Sequence, residues 1–315
     1  MVAGPALTSP RYSQQATIEE PRQGQVAALG PRGFSRVAYV DWGPIDARHA
    51  VICVHGLTRN GRDFDLLAQA LAREGCRVVA PDLPGRGRSE WLKRPIDYDN
   101  ATYLAAISTI FARLGVEEVD WVGTSLGGFI GMAMATQQGS PVRRLVLNDF
   151  GARVPAAALR RIGASSGQYP QFETIEQLEA YLRSLLAPVG DLTDAQWRHL
   201  AKHSLLEAAD GKLRLNHDPA LTGPFSWPFM VDLSLWHQWD SISCPVLILR
   251  GGLSDFLTSA TMRGMQQRGQ AAKRGLVQAV EVPDCGHAPA LMSKEQIEVV
   301  VGFLLNQKGA ISLAP

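Results

Sequence analysis

Long apolar runs are missing from this 315-residue chain. No stretch approaches the roughly 18 consecutive apolar residues that a bilayer-spanning helix requires. The opening MVAGPALTSPRYSQQATIEEPRQGQ has neither the basic start nor the apolar middle of a secretion signal. It reads as a disordered or loosely attached lead-in, and the protein is expected to work in the cytoplasm, away from membranes. Cysteine is scarce: Cys53, Cys76, Cys244 and Cys285 show no metal-type spacing, and three lie in or beside apolar runs. They are expected to be reduced core residues, not a disulfide or zinc framework. A surplus of either charge is also missing, because 31 basic residues face 30 acidic ones for a formal net charge of +1. That balance supplies no field to attract nucleic acid or an anionic surface, so a small neutral or singly charged partner fits better. Internal repeats, low-complexity tracts and long charge blocks are likewise not found.

With 46% hydrophobic and 19% charged residues, the composition is that of an ordinary globular protein. The length suits one large α/β domain carrying an insertion, or two small domains. Strand-like runs (GFSRVAYVDWG, HAVICVHG, CRVVAPDLPG, VEEVDWVG, PVRRLVLNDFG) alternate with amphipathic helical ones (GRDFDLLAQALAREG, NATYLAAISTIFARLG). After a gap the alternation resumes with CPVLILRGG, GLVQAVEVPD and KEQIEVVVGFLLNQ. Such alternation predicts a mostly parallel central sheet with helices on both faces. The gap, residues 152–240, contains helical patterns and a Pro- and aromatic-rich run with little that looks like a strand. The expected organisation is a lead-in and first strand over 1–32, a core made of 33–151 and 241–315, and an inserted helical cap over 152–240.

Gly123-Thr124-Ser125-Leu126-Gly127 lies where a strand pattern turns into a helix pattern. Such a turn is tight enough to strain its apex residue, and flanking glycines let neighbouring chain pass close. The serine oxygen is then held out of the surface with a helix N-terminus behind it. Taken alone, the motif could equally be a glycine-rich turn whose serine caps the helix. Its companions decide: His55-Gly56 ends one strand, Asp82-Leu83-Pro84-Gly85-Arg86-Gly87-Arg88-Ser89 ends the next, and Gly286-His287 follows the penultimate element. All fall where a parallel sheet keeps its site, beyond the carboxyl ends of the strands.

This ordered set resembles the α/β-hydrolase family, of the serine-esterase type with a helical cap, and the match spans roughly residues 33 to 306 apart from the insertion. The resemblance implies a triad in the order Ser, acid, His. Ser125 would be the nucleophile, His287 the base, and Asp255, in the loop LRGGLSDFLT, the acid. Asp149, at the end of RRLVLND, is the rival acid, because some family members carry the carboxylate one strand earlier. The backbone N–H groups of Leu57 and Leu126 would form the oxyanion hole. Asp82 and Ser89 are expected to brace a turn.

Arg59, two residues past Leu57, is a candidate for binding a substrate carboxylate through its planar fork, or else a loop arginine that is solvated or paired with a cap carboxylate. Trp227 and Trp236 in the insertion are candidates for an apolar substrate wall, or for holding the cap to the sheet. His199 and His203 are four apart on a predicted helix, but no third ligand accompanies them in sequence, so they read as a solvated helix face. No metal or cofactor is expected. Gly85-x-Gly87 fails as a dinucleotide fingerprint because Glu90 replaces the third glycine, and no phosphate loop occurs.

The expected activity is hydrolysis of small carboxylic esters through an acyl-enzyme, with monoesters or hydroxyacid oligomers bearing a free acid as candidate substrates. The elbow carries no nucleophilic aspartate, which argues against epoxide hydrolases and haloalkane dehalogenases. Carbon–carbon cleavage of ring-fission diketones, lactonase, amidase or perhydrolase chemistry, and a slow hydrolase-like ligand receptor remain open.

Overall fold

A computed structural model describes residues 19–225 and 231–306. Its centre is an eight-stranded sheet in the order β1-β2-β4-β3-β5-β6-β12-β13. The strands are β1 (Arg22–Gly30), β2 (Gly33–Trp42), β3 (Ala50–Val54), β4 (Arg77–Pro81), β5 (Val119–Thr124), β6 (Val142–Asn148), β12 (Val246–Gly251) and β13 (Val277–Val282). The β1–β2 hairpin and the β2–β4 pair are antiparallel, whereas β4, β3, β5, β6, β12 and β13 run parallel. Strands β3 and β4 are buried along their whole length, as a sheet covered on both faces demands.

Helices α1 (Asp65–Arg73), α2 (Asn100–Leu114), α3 (Leu126–Ala135), α8 (Ser259–Gln267), α9 (Gln270–Lys273) and α10 (Lys294–Leu304) connect or cover the strands. Two large apolar clusters result. One joins α2 and α3 to one face through Ile107, Ile110, Trp121 and Ile130. The other joins α1 and α10 to the opposite face through Leu67, Leu71, Val300 and Phe303.

Between β6 and β12 the chain forms α4 (Ala156–Ser166), α5 (Ile175–Leu185), α6 (Asp194–His203) and α7 (Trp236–Ser241). Among the described residues, five short strands accompany them: β7 (Arg153–Val154), β8 (Gln171–Phe172), β9 (Leu205–Glu207), β10 (Leu213–Leu215) and β11 (Leu233–Ser234). Strands β8, β10 and β9 make a small sheet of their own. The insertion also has a separate apolar cluster built on Phe172, Leu178, Leu182, Ala201 and Leu215. The lead-in expected to be loose lies largely outside the described residues, but its end is ordered: Arg22 to Gln25 belong to β1.

Candidate active site

The carboxyl ends of the parallel strands carry the site residues. After β5 the chain turns into α3 within one residue, and Ser125 at the apex has φ 52° and ψ −112°. That is a backbone region L-residues enter only when the surroundings hold them there. The glycines explain how the turn closes. A Cβ on Gly123 would collide with the Gly127 carbonyl, and one on Gly127 with the Val54 carbonyl of β3. The Ser125 amide is anchored on the Asn148 carbonyl (3.0 Å), and the α3 amides of Gly128 and Phe129 close on the Ser125 carbonyl.

Ser125 Oγ lies 2.9 Å from His287 Nε2, and His287 Nδ1 lies 2.6 Å from Asp149 Oδ2. Asp149 is fully buried. The Gly251 amide donates to its Oδ1 (3.0 Å) and the Ser254 hydroxyl to its Oδ2 (2.6 Å). Ser254 Oγ in turn accepts from the amides of Phe256 and Leu257, so the loop after β12 is folded around the Asp149 carboxylate. Phe256 stacks on the His287 ring with centroids 4.1 Å apart and planes 28° apart.

This geometry corrects the expectation for Asp255. Its side chain is half exposed and takes a bidentate pair from Arg161 Nε (2.8 Å) and Nη2 (2.5 Å) on α4. That guanidinium holds the Asp255 carboxyl below its ordinary range. Asp149, one strand earlier, occupies the position beside His287.

The amides of Leu57 and Leu126 have no backbone acceptor among the described residues; Leu126 follows Ser125 in the chain, and Leu57 lines the same cavity as Ser125. The loop carrying Leu57 is held from behind. His55 is buried, its Nδ1 2.7 Å from the Gly56 carbonyl, while its Nε2 accepts from the Leu83 amide (2.9 Å). These partners fix the neutral tautomer with the proton on Nδ1. Burial, helped by the Arg86 charge, pushes its pKa down to about 3. Arg86 Nε donates to the Leu57 carbonyl (2.7 Å). Asp82 accepts from the amides of Gly61 and Arg88, and the Ser89 hydroxyl donates to the Asp82 carbonyl, which is the brace expected for that turn.

A cavity opens over Ser125 and His287, with Leu57, Thr58 and Arg59 on the core side. Arg161, Ile162, Gln168, Tyr181, Leu185, Leu200, Leu215 and His217 contribute from the insertion. The hydroxyl of Tyr181 and Nε2 of His217 are buried there with no hydrogen-bond partner among the described residues.

Three further expectations change. Arg59 reaches the cavity wall, but its Nε and Nη2 are taken by Asp63 (2.8 and 2.6 Å) and Nη1 by the Ser204 hydroxyl (3.0 Å). Its fork is therefore already filled. Trp236 does not line the cavity: it packs against Gly264 of α8, with the Arg268 guanidinium 4.7 Å from its ring. Trp227 lies outside the described residues. His199 and His203 are not on a solvated face, since the folded chain brings Asp65 of α1 against them and the three offer ligand atoms within 4.8 Å of one another. Arg62 Nε donates to the same carboxylate (2.5 Å), so the chain supplies its own cation there.

The features that sequence reasoning missed are Phe256 as a stacking partner, Ser254 as the clasp on Asp149, and the leftover groups on Tyr181 and His217. Ser254 and Phe256 flank Asp255, and that adjacency was the one available signal.

Comparison with known proteins bears on the fold and the family. The profile of the alpha/beta hydrolase family matches residues 51–300. The chain is 43% identical over 291 residues to a 3-hydroxybutyrate-oligomer hydrolase of Cupriavidus necator, covering 90% of this chain and 97% of that protein. The structure of a putative hydrolase from Rickettsia typhi is similar with a TM-score of 0.83 at 30% identity, covering 92% of this chain and 100% of that one. An alpha/beta hydrolase from Novosphingobium aromaticivorans is similar with a TM-score of 0.79 at 32% identity, covering 92% and 99%.

Proposed function

The chain belongs to the alpha/beta hydrolase family and is an enzyme of its esterase kind, and from that premise we propose that it cleaves linear ester oligomers of short hydroxyacids, 3-hydroxybutyrate among them. The observation that carries the reading is the hydrogen-bonded line Ser125–His287–Asp149 opening into a mostly apolar cavity. The 43% relative supports the choice of substrate. Such an oligomer offers repeated ester carbonyls, small apolar methyl groups and one free acid, which suits a cavity of Leu and Ile side chains with a few polar atoms.

In this mechanism Ser125 Oγ attacks the ester carbonyl while His287 Nε2 takes its proton. Asp149 orients the ring through Nδ1–H and stabilises the imidazolium. The carbonyl electrons move onto oxygen, where the amides of Leu57 and Leu126 receive the negative charge. Collapse of this intermediate expels the alcohol end of one oligomer fragment, which takes the proton from His287. Water then attacks the acyl-Ser125 ester with His287 again as base, releasing the second fragment as an acid. No described helix is long and apolar enough to cross a membrane. The four free thiols support a reducing compartment, and we place the enzyme in the cytoplasm.

The test is to incubate the purified protein separately with linear 3-hydroxybutyrate dimer and trimer and with a ring-fission diketone, and to resolve the products by chromatography. Release of monomer from the oligomers, absent in Ser125→Ala, is expected. Turnover of the diketone alone would contradict the reading.

A further inference from the structure

Arg59, with its fork filled by Asp63, leaves open what would greet a substrate's free acid. His217, in the turn after β10, shares the cavity with Ser125, is 2% exposed, and has a buried Nε2 with no partner among the described residues. A polar atom left so is unfavourable unless a bound molecule completes it. Behind it sits an unusual charge. The backbones of Arg86 and His217 form an isolated antiparallel bridge, and Arg86 is fully buried.

Among the described residues, the Arg86 guanidinium donates only to neutral acceptors: the carbonyls of Leu57 and Pro84 (both 2.7 Å) and the Tyr103 hydroxyl (2.8 Å). Its Nη2 has no partner, and no carboxylate lies within 4.0 Å of it among the described residues. Buried charges are ordinarily paired. Arg59, the other cation beside the ring, is already neutralised by Asp63. The ring itself adds no charge, because burial and then the Arg86 charge push its pKa down to about 4. His217 is therefore a neutral imidazole, able to present Nε2–H to the cavity, next to a guanidinium with no carboxylate in contact among the described residues; the buried Asp218 accepts from the hydroxyl of Tyr98, over whose ring that guanidinium lies. A neutral carbonyl would satisfy the donor alone. An anion satisfies the donor and also offsets the charge.

We propose that His217, backed by Arg86, forms a carboxylate subsite that takes the free acid terminus of the ester oligomer while a scissile carbonyl lies at Ser125. The subsite rests on the ester-oligomer reading above. His217 Nε2–H donates to the carboxylate, and Arg86 acts through space without touching the ligand. Capping the acid as a neutral carboxamide would then leave a carbonyl for the donor but forfeit the charge on that hydrogen bond and its attraction to Arg86.

The experiment measures kcat/KM for a linear 3-hydroxybutyrate trimer with a free acid and for the same trimer capped as a carboxamide, so that the ester bonds are unchanged. The free acid should be favoured by roughly ten- to a hundred-fold, the range for a hydrogen bond to a charged group. His217→Phe should bring that ratio close to one, mainly through KM, and His217→Gln, which keeps an N–H donor, should restore part of it. Arg86→Lys should keep more of the preference than Arg86→Met, with melting curves showing that each variant is folded. If both trimers are cleaved and His217→Phe leaves the ratio unchanged, the subsite is wrong and the esterase stands. If the wild type cleaves neither trimer, the ester-oligomer reading fails and the subsite falls with it.

Discussion

Asp149 adopts φ 52°, in the left-handed region that aspartate tolerates better than most residues, and this directs its carboxylate under His287. Asp149→Asn should keep the shape but favour the wrong tautomer of His287, at a cost of about ten-thousand-fold in kcat by analogy with other triads. Asp255→Asn breaks only an exposed pair with Arg161 and should change kcat by less than about threefold, in keeping with the small worth of surface ion pairs. Steady-state kinetics of the two variants checks this, and the reverse ranking would return the role to Asp255. Both carboxylates satisfy the order Ser, acid, His along the chain, so sequence alone could not separate them. What separates them is tertiary: the amide of Gly251 and the hydroxyl of Ser254 close on Asp149, and Arg161, 94 residues away in sequence from Asp255, draws that side chain outward. Ser125 and His287 were legible because the elbow's glycines and the Gly-His pair leave local marks.

The long strands and helices of the core were readable because each repeats its apolar pattern over two or more turns or pleats. Strands β7 to β11 were not, being two or three residues long and defined by their partners more than by their composition. The contact between the loop after β3 and α6 was equally invisible. There Arg59 grips Asp63 and reaches Ser204, while Asn60 Nδ2 donates to the His203 carbonyl (2.9 Å). Arg59 thus ties the loop carrying Leu57 to the insertion. Arg59→Ala should lower folding stability by about 1 kcal/mol, as for a partly exposed ion pair. It should also reduce kcat/KM for acid-ended and amide-capped substrates by the same factor. Chemical denaturation and the two-substrate assay together check it, and a loss confined to the acid-ended substrate would mean that Arg59 does bind the carboxylate.

Across the molecule, burial has removed charge from histidines that water would leave free to protonate. His217 falls to about 4 and His55 to about 3 from an ordinary value of 6.5. A base whose folded pKa is depressed stabilises the fold fully above its unfolded value and loses that contribution as the pH falls toward the folded value, because only the unfolded chain takes up the proton. Each such histidine should therefore steepen the loss of stability between pH 6.5 and about pH 4 by up to roughly 1.4 kcal/mol per unit. Urea unfolding across that window should show a shallower fall for His217→Gln than for the wild type, and identical slopes would mean that His217 protonates freely in the folded state. Among the described residues of the cavity, the chemistry falls to the partly buried relay of Ser125 with His287, and a single labelling experiment examines it. A phosphonate ester inhibitor, followed by peptide mass spectrometry alongside oligomer turnover, should place one adduct per chain on Ser125, in proportion to the activity lost. The trimer should slow the labelling, and Ser125→Ala should take no adduct and release no monomer. An adduct on another residue, or oligomer hydrolysis that persists in Ser125→Ala, would contradict the mechanism.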